Sequence, residues 1–310
     1  MLAPAALPVS GELGTGRPRR YRSPWRRVAR AGLMLVLAAV GLFFVIPVLW
    51  LLLATTKTQS QTIANFPLSF GTWSQIARNW HGLYAYEDHV ILVWMRNSAI
   101  YCVAGTLIAV IIGIPAGYAL AVTQFVGRRM LLSVTLVVML IPGNALVLPI
   151  FLGMNDVRLI GNAFSVILPF GFFPFGVYLS YIYFNTAVPD NLLAAARVDG
   201  CSEWRVFRHI AAPLALPVIG LVAFFNFVGN WNNYFLPFVM LQQTNSLTTS
   251  IGLQTLLAAG PGSTPGAVGQ PIYKPELALG ILIMGAPIVI VFIFAQRMLV
   301  RGLLAGATKE

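Results

Sequence analysis

Six long apolar runs, each without Asp, Glu, Lys, Arg or His at its middle, alternate with polar segments along this chain of 310 residues. They extend from Gly32 to Ala54, Asn97 to Val122, Met130 to Gly153, Ala163 to Phe184, Pro213 to Met240 and Leu277 to Gln296. At about 1.5 Å per helical residue, each is long enough to cross a hydrocarbon layer of roughly 30 Å, where a helix satisfies its own backbone. The pattern predicts an all-α membrane protein with six transmembrane helices. Pro47, Pro115, Pro142, Pro149, Pro169, Pro174 and Pro287 fall inside the runs, so several spans are expected to kink or break.

Composition agrees: 58% hydrophobic and 9% charged residues, with a mean hydropathy of +0.79, exclude an ordinary soluble domain. A net charge of +11 on such a chain reads as an orientation signal toward lipid headgroups rather than as a nucleic-acid surface. Residues 1–31 form a basic tail with seven arginines, followed by a first span (32–54) too long for a signal-peptide core. With the N-terminus in the cytoplasm, fifteen of the twenty Lys and Arg residues lie inside; Lys57, Arg78, Arg96, Arg158 and Lys274 remain outside. The expected topology has both termini cytoplasmic. Residues 55–96, with scattered aromatics, are expected to make a small outer cap with short helices. Cys102 and Cys201 fall in different environments, so no disulfide is expected.

One polar connection stands out among the inner ones, at 186–212. Read as helix, Leu192, Ala195, Ala196 and Asp199 share a face, and Trp204, Phe207, Arg208 and Ala211 repeat the spacing after Gly200. Pro189 and Asp190 suit a helix start, and Ser202 suits an N-cap for a second helix. Two short helices hinged at Gly200 would present a knob to a soluble partner.

The spans lack the ionisable groups that proton- or ion-coupled carriers use. The chain also has no Gly-x4-Gly-Lys-Ser/Thr phosphate loop. An energy source on a separate subunit accounts for both. His81, His89 and His209 are isolated, and no metal-ligand or nucleophile pattern suggests an enzyme. The densest polar group within the spans is Asn226, Asn230, Trp231, Asn232, Asn233 and Tyr234. Buried amides must face each other, water or a hydrogen-bonding ligand, so these residues either contact a neutral polyhydroxyl solute or join helices. Both readings stay open. Tyr118 and Asn144 are weaker pathway candidates.

The 186–212 segment resembles the cytoplasmic coupling loop of binding-protein-dependent ABC importer permeases. That pattern runs Glu-Ala-Ala, two residues, Asp-Gly, then a spaced aromatic, Ile and two prolines. Ala195, Ala196, Asp199, Gly200, Phe207, Ile210, Pro213 and Pro217 match, and Trp204 lies within the pattern. Ala194 stands where the family has Glu, which there contacts the ATPase. From Asn97 onward the chain is similar to the maltose-type, carbohydrate-importing branch. Asn97-Ser98, Tyr118-Ala-Leu-Ala121, Ile141-Pro142, Leu148-Pro149-Ile150 and Asn230-Trp-Asn232 recur there in this order. The segment from Gln296-Arg297 to Lys309 is similar to a permease tail that reaches the ATPase interface, pointing to Gly302, Gly306 and Lys309.

The resemblance implies a type I importer fold with a permease core over 97–300 and a cytoplasmic tail over 301–310. It implies a second permease, two ATPase subunits that hold ATP and Mg, and an extracytoplasmic solute-binding protein met by the loop from Gln242 to Glu276. The chain itself would bind no cofactor or metal. Composition alone reads that loop as a flexible connector. The leading expectation is a sugar or oligosaccharide permease of a bacterial or archaeal plasma membrane. The alternatives are a permease for a phosphorylated polyol or polyamine, or a stand-alone secondary carrier.

Overall fold

A computed structural model describes the backbone of residues 24–261 and 271–305, and their side chains apart from 24–29, 190 and 299–305. Arg17, Arg19, Arg20 and Arg22 of the basic tail, and Gly306 and Lys309 of the C-terminal tail, lie outside the described residues. The chain divides into a unit ending at Leu49 and a unit running from Trp50. The first holds most of helix α1 (Pro24–Ala54), with Pro47 inside it.

The second unit begins with a polar cap built around α2 (Gln59–Ala64) and α3 (Trp73–Ala85). Thr58 starts α2 through a capping box: its hydroxyl accepts from the Gln61 amide while the Gln61 side chain accepts from the Thr58 amide. Lys57, only 1% exposed, donates from Nζ to the carbonyls of Phe66 at 3.0 Å and Pro67 at 2.9 Å. Asn79 of α3 closes the same cap by donating to the carbonyls of Thr55 and Lys57.

Helix α4 (Val90–Val122) starts before the expected Asn97. Arg96 ends the apolar run in the sequence, yet Val90, Ile91 and Trp94 before it are buried and extend the helix toward its N-terminus. The next expected span divides into α5 (Arg128–Leu140), a 3-10 turn over Gly143–Leu146 and α6 (Val147–Asp156), with α5 and the 143–156 segment at 102°. Ile141 is extended because a residue preceding proline, here Pro142, is driven out of the helical region. Helices α7 (Phe164–Gly171) and α8 (Pro174–Ala187) share the following span, interrupted before Pro174.

The connection after α8 folds as α9 (Asp190–Val198), α10 (Glu203–Val206), a π-helical turn over Phe207–Ala211 and the single turn α11 (Ala212–Leu214). It meets α12 (Leu216–Trp231) at a 76° bend. Helices α13 (Phe235–Met240), α14 (Thr249–Ala258) and α15 (Lys274–Ala305) complete the chain. Among the described residues, four helices are long and apolar enough to cross a membrane, with α7 and α8 taken as one, or up to six spans if each bent pair is one.

Helix α4 is the axis of the second unit and packs on α7, α8 and α12, while α12 also packs on α15. Small residues permit the close crossings. A Cβ on Gly105 would lie 2.5 Å from Phe170 Cβ, and one on Gly117 would strike Ser180 and lie 2.9 Å from both Tyr181 N and Val177 O. Part of the 242–276 loop differs from a flexible connector. Trp94 Nε1 donates to Thr244 O, Asn97 Nδ2 donates to Asn245 O and Leu247 O, and the Ser98 and Thr249 hydroxyls meet at 2.9 Å. These bonds fix α14 against the N-terminal end of α4.

Candidate functional site: a helical elbow and an amide cluster

The elbow between α8 and α12 is shaped first by Gly200. Its φ of +78° lies in the left-handed region, which a side chain disfavours. With Gly200 there, the Gly200 amide donates to Arg197 O and the Cys201 amide to Ala196 O, both at 3.0 Å, closing α9 with a Schellman turn. The chain then reverses into α10.

The buried face coincides only in part with the residues that the spacing groups together. Leu193 and Ala196 of α9 are buried, whereas Leu192, Ala195 and Asp199 are exposed. After Gly200, Val206, Phe207 and Ala211 are buried and Trp204 is 64% exposed. Phe207 and Ala211, at the two ends of the π turn, are buried at the spacing read from the sequence, while Val206 rather than Trp204 or Arg208 joins them on the buried face. The buried face packs with Tyr118 of α4, Phe184 and Val188 at the end of α8, and Val218 and Val222 of α12, with Ile210 and Cys201 at its edge. Ala194, Ala195, Val198, Asp199 and Trp204 face outward, and Pro213 lies in α11 before the bend.

A polar clamp crosses the hinge. Arg197 Nε donates to Glu203 Oε1 at 2.7 Å and Arg197 Nη2 to Glu203 Oε2 at 3.3 Å, while Tyr118 Oη donates to Glu203 Oε2 at 3.3 Å. The Arg197 hydrogen bond holds the Glu203 carboxyl, in the connection between spans, below its ordinary value. The clamp's stabilisation is therefore present above the ordinary carboxylate range and is lost as pH falls through the lowered value. This clamp was not read from the sequence; its only local signal is a pair of opposite charges flanking a glycine turn.

The amides of α12 divide between two roles. Pro174 has no N–H to give the Phe170 carbonyl four residues back, and that oxygen instead accepts from Asn226 Nδ2 at 3.0 Å and Asn230 Nδ2 at 3.2 Å. Asn226, 2% exposed, also accepts at Oδ1 from Thr106 Oγ1 and Asn230 Nδ2. Trp231 Nε1 donates to Met284 O in the turn that Pro287 interrupts. These three side chains join α12 to α4, α7 and α15. Asn233 caps α13 by accepting from the Leu236 amide. Asn232 and Tyr234 remain exposed.

Residues 109–304, which include the elbow and the amide cluster, match the family described as binding-protein-dependent transport system inner membrane component. The chain belongs to this family. Among its relatives, an arabinooligosaccharides transport system permease protein of Halalkalibacterium halodurans is 31% identical over 273 residues, 88% of this chain and 94% of the relative. A lactose transport system permease protein of Rhizobium radiobacter is 28% identical over 277 residues, 87% of this chain and 93% of that one. A crystal structure of a bacterial ABC transporter involved in importing the acidic polysaccharide alginate has a chain matching with a TM-score of 0.76 at 20% identity, over 89% of this chain and 98% of that chain. The likeness to that structure concerns the fold, that of a type I ABC importer permease. The chain is thus an integral inner-membrane permease subunit of the carbohydrate-type branch.

Proposed function

We propose that this chain forms half of a sugar or oligosaccharide pathway through the membrane, beside a second permease, and is moved by two ATPase subunits seated on the elbow. The observation that carries the reading is the elbow itself. One face is locked into the ends of α4, α8 and α12, and the other offers Ala194, Ala195, Val198 and Trp204 outward. A push on the outer face moves the spans as a body. The ATPases hold ATP and Mg, both termini lie in the cytoplasm, and an extracytoplasmic binding protein delivers solute to the side that carries α2, α3 and α14. A sugar is favoured by the arabinooligosaccharide and lactose names of the relatives and by neutral amides rather than cations around α12.

The test is affinity purification of the tagged chain from native membranes, followed by reconstitution. ATPase chains and a second permease are expected to co-elute, and only the complete assembly to take up solute with ATP. Solute movement by the isolated chain, without ATP, overturns the reading. A second expectation concerns the outward face of α9. Ala194→Glu adds a carboxylate on the docking surface and is expected to tighten ATPase association by about two- to fivefold, the scale of an exposed ion pair. Titration of the purified ATPase onto the reconstituted permease pair measures it; weaker association would mean that the partner surface is built around alanine.

A further inference from the structure

Beside the end of α12, an open cleft of about 340 Å3 is bounded by α14 and α15. Its floor is formed by Trp231 and Met284, tied by the Trp231 Nε1 bond to Met284 O. Its polar walls are Asn232 and Tyr234 on one side and Ser250 and Gln254, one turn apart on α14, on the other. No Asp, Glu, Lys, Arg or His lines it. Asn232 gives one N–H to Val228 O and keeps its carbonyl oxygen, and Ser250 donates to Asn233 O. Among the described residues, neither the Gln254 amide nor the Tyr234 hydroxyl has a hydrogen-bond partner, and both residues are exposed.

Free amides and a hydroxyl make poor contact with acyl chains. They suit a ligand that carries both donors and acceptors and no charge. The walls are also held in place before any ligand arrives. The Ser98 hydroxyl is bonded to both the amide and the hydroxyl of Thr249, and Gly252 lies so close to Trp94 that a Cβ there would sit 2.5 Å from the indole Cδ2. Such a fixed wall keeps the ordering cost of binding low. Small-ligand pockets of about 300–1,000 Å3 are usual, so the cleft has room for a short saccharide segment.

We propose that this cleft is a solute subsite contributed by this subunit, in which Gln254, Tyr234 and Asn232 hydrogen-bond a neutral saccharide. The proposal rests on the importer function above and adds α14 to the pathway. Trp231 lies beneath the site with its N–H already given to Met284 O, while Asn226 and Asn230 do not line the cleft and use their amide N–H groups in the helix packing.

The test uses the complete importer in liposomes, binding protein included, with lactose, trehalose and arabinotriose as the labelled probes. Gln254→Ala and Tyr234→Phe are each expected to lower uptake about tenfold, the scale of one lost hydrogen bond, and to change the ratio of uptake among the three sugars. Gln254→Asn should restore part of the loss. Wild-type uptake and sugar ratios in a Gln254→Ala, Tyr234→Phe double variant overturn the subsite and leave the importer function standing. If the wild-type importer takes up none of the three sugars, that function loses its carbohydrate assignment. The cleft is then decided by Gln254→Cys labelling with a membrane-impermeant methanethiosulfonate in a Cys102→Ser, Cys201→Ser background. Labelling that changes between nucleotide-free and vanadate-trapped states supports a pathway-facing cleft, and labelling absent or equal in both overturns it.

Discussion

A Gly200→Pro, Phe207→Asp double variant is expected to insert into the membrane and to lose about a hundredfold in ATP-driven uptake, a loss of about 2.8 kcal/mol at about 1.4 kcal/mol per decade. Proline fixes φ near −65°, whereas Gly200 sits at +78° and donates its N–H to Arg197 O, so the Schellman turn cannot form. Phe207 packs 5.1 Å from the Tyr118 ring and 5.5 Å from Trp204. Losing a buried phenyl ring costs about 3–5 kcal/mol, and a carboxylate in its place adds desolvation. The elbow would detach from α4 while the apolar spans keep their hold on lipid. Uptake by the reconstituted importer, with ATP hydrolysis measured in the same liposomes, checks this. Full uptake would mean that force does not enter through the elbow.

Gly117→Val is expected to act differently, by dismantling the helix pair rather than disconnecting it. Two of the contacts its Cβ would make, Tyr181 N and Val177 O, are backbone atoms of α8 and cannot turn aside as a side chain can. Overpacking costs about 1–3 kcal/mol where neighbours adjust, and this rigid crossing belongs at the upper end. The expected result is an apparent Tm lowered by about 10 °C in detergent, at about 2–4 °C per kcal/mol, with a loss of monodisperse protein. Gly143→Ala is the comparison, since nothing lies within 4 Å of a Cβ there, although its turn differs from a helix interior. An unchanged Tm for Gly117→Val would mean that α4 and α8 do not cross at Gly117.

The spans were legible because a charge-free run of about twenty residues is what a helix crossing hydrocarbon requires and what a water-soluble fold seldom contains. The elbow was legible because Gly200 stands between two short periodic segments. Their buried faces were legible only in part: Ala196, Phe207 and Ala211 are buried, but Leu193 and Val206 join them instead of Leu192 and Trp204, because spacing groups residues on a face without saying which face meets the core. The role of Asn226 needed a partner far away in sequence. Pro174 signals an unpaired carbonyl at Phe170, but nothing local says that an amide 56 residues on will accept the task of pairing it. Helix α14 was hidden by composition: its Ser, Thr and Gln residues read as a connector until Ser98, Asn97 and Trp94 are seen to hold it.

Lys57 carries one more consequence. Its ammonium is surrounded by main-chain oxygens from Phe66 and Pro67, and the adjoining carbonyls are held by Asn79, so the segment around it cannot sink into hydrocarbon without dragging a cation along. The end of α1 is thereby given a waterline, anchored by a single nitrogen.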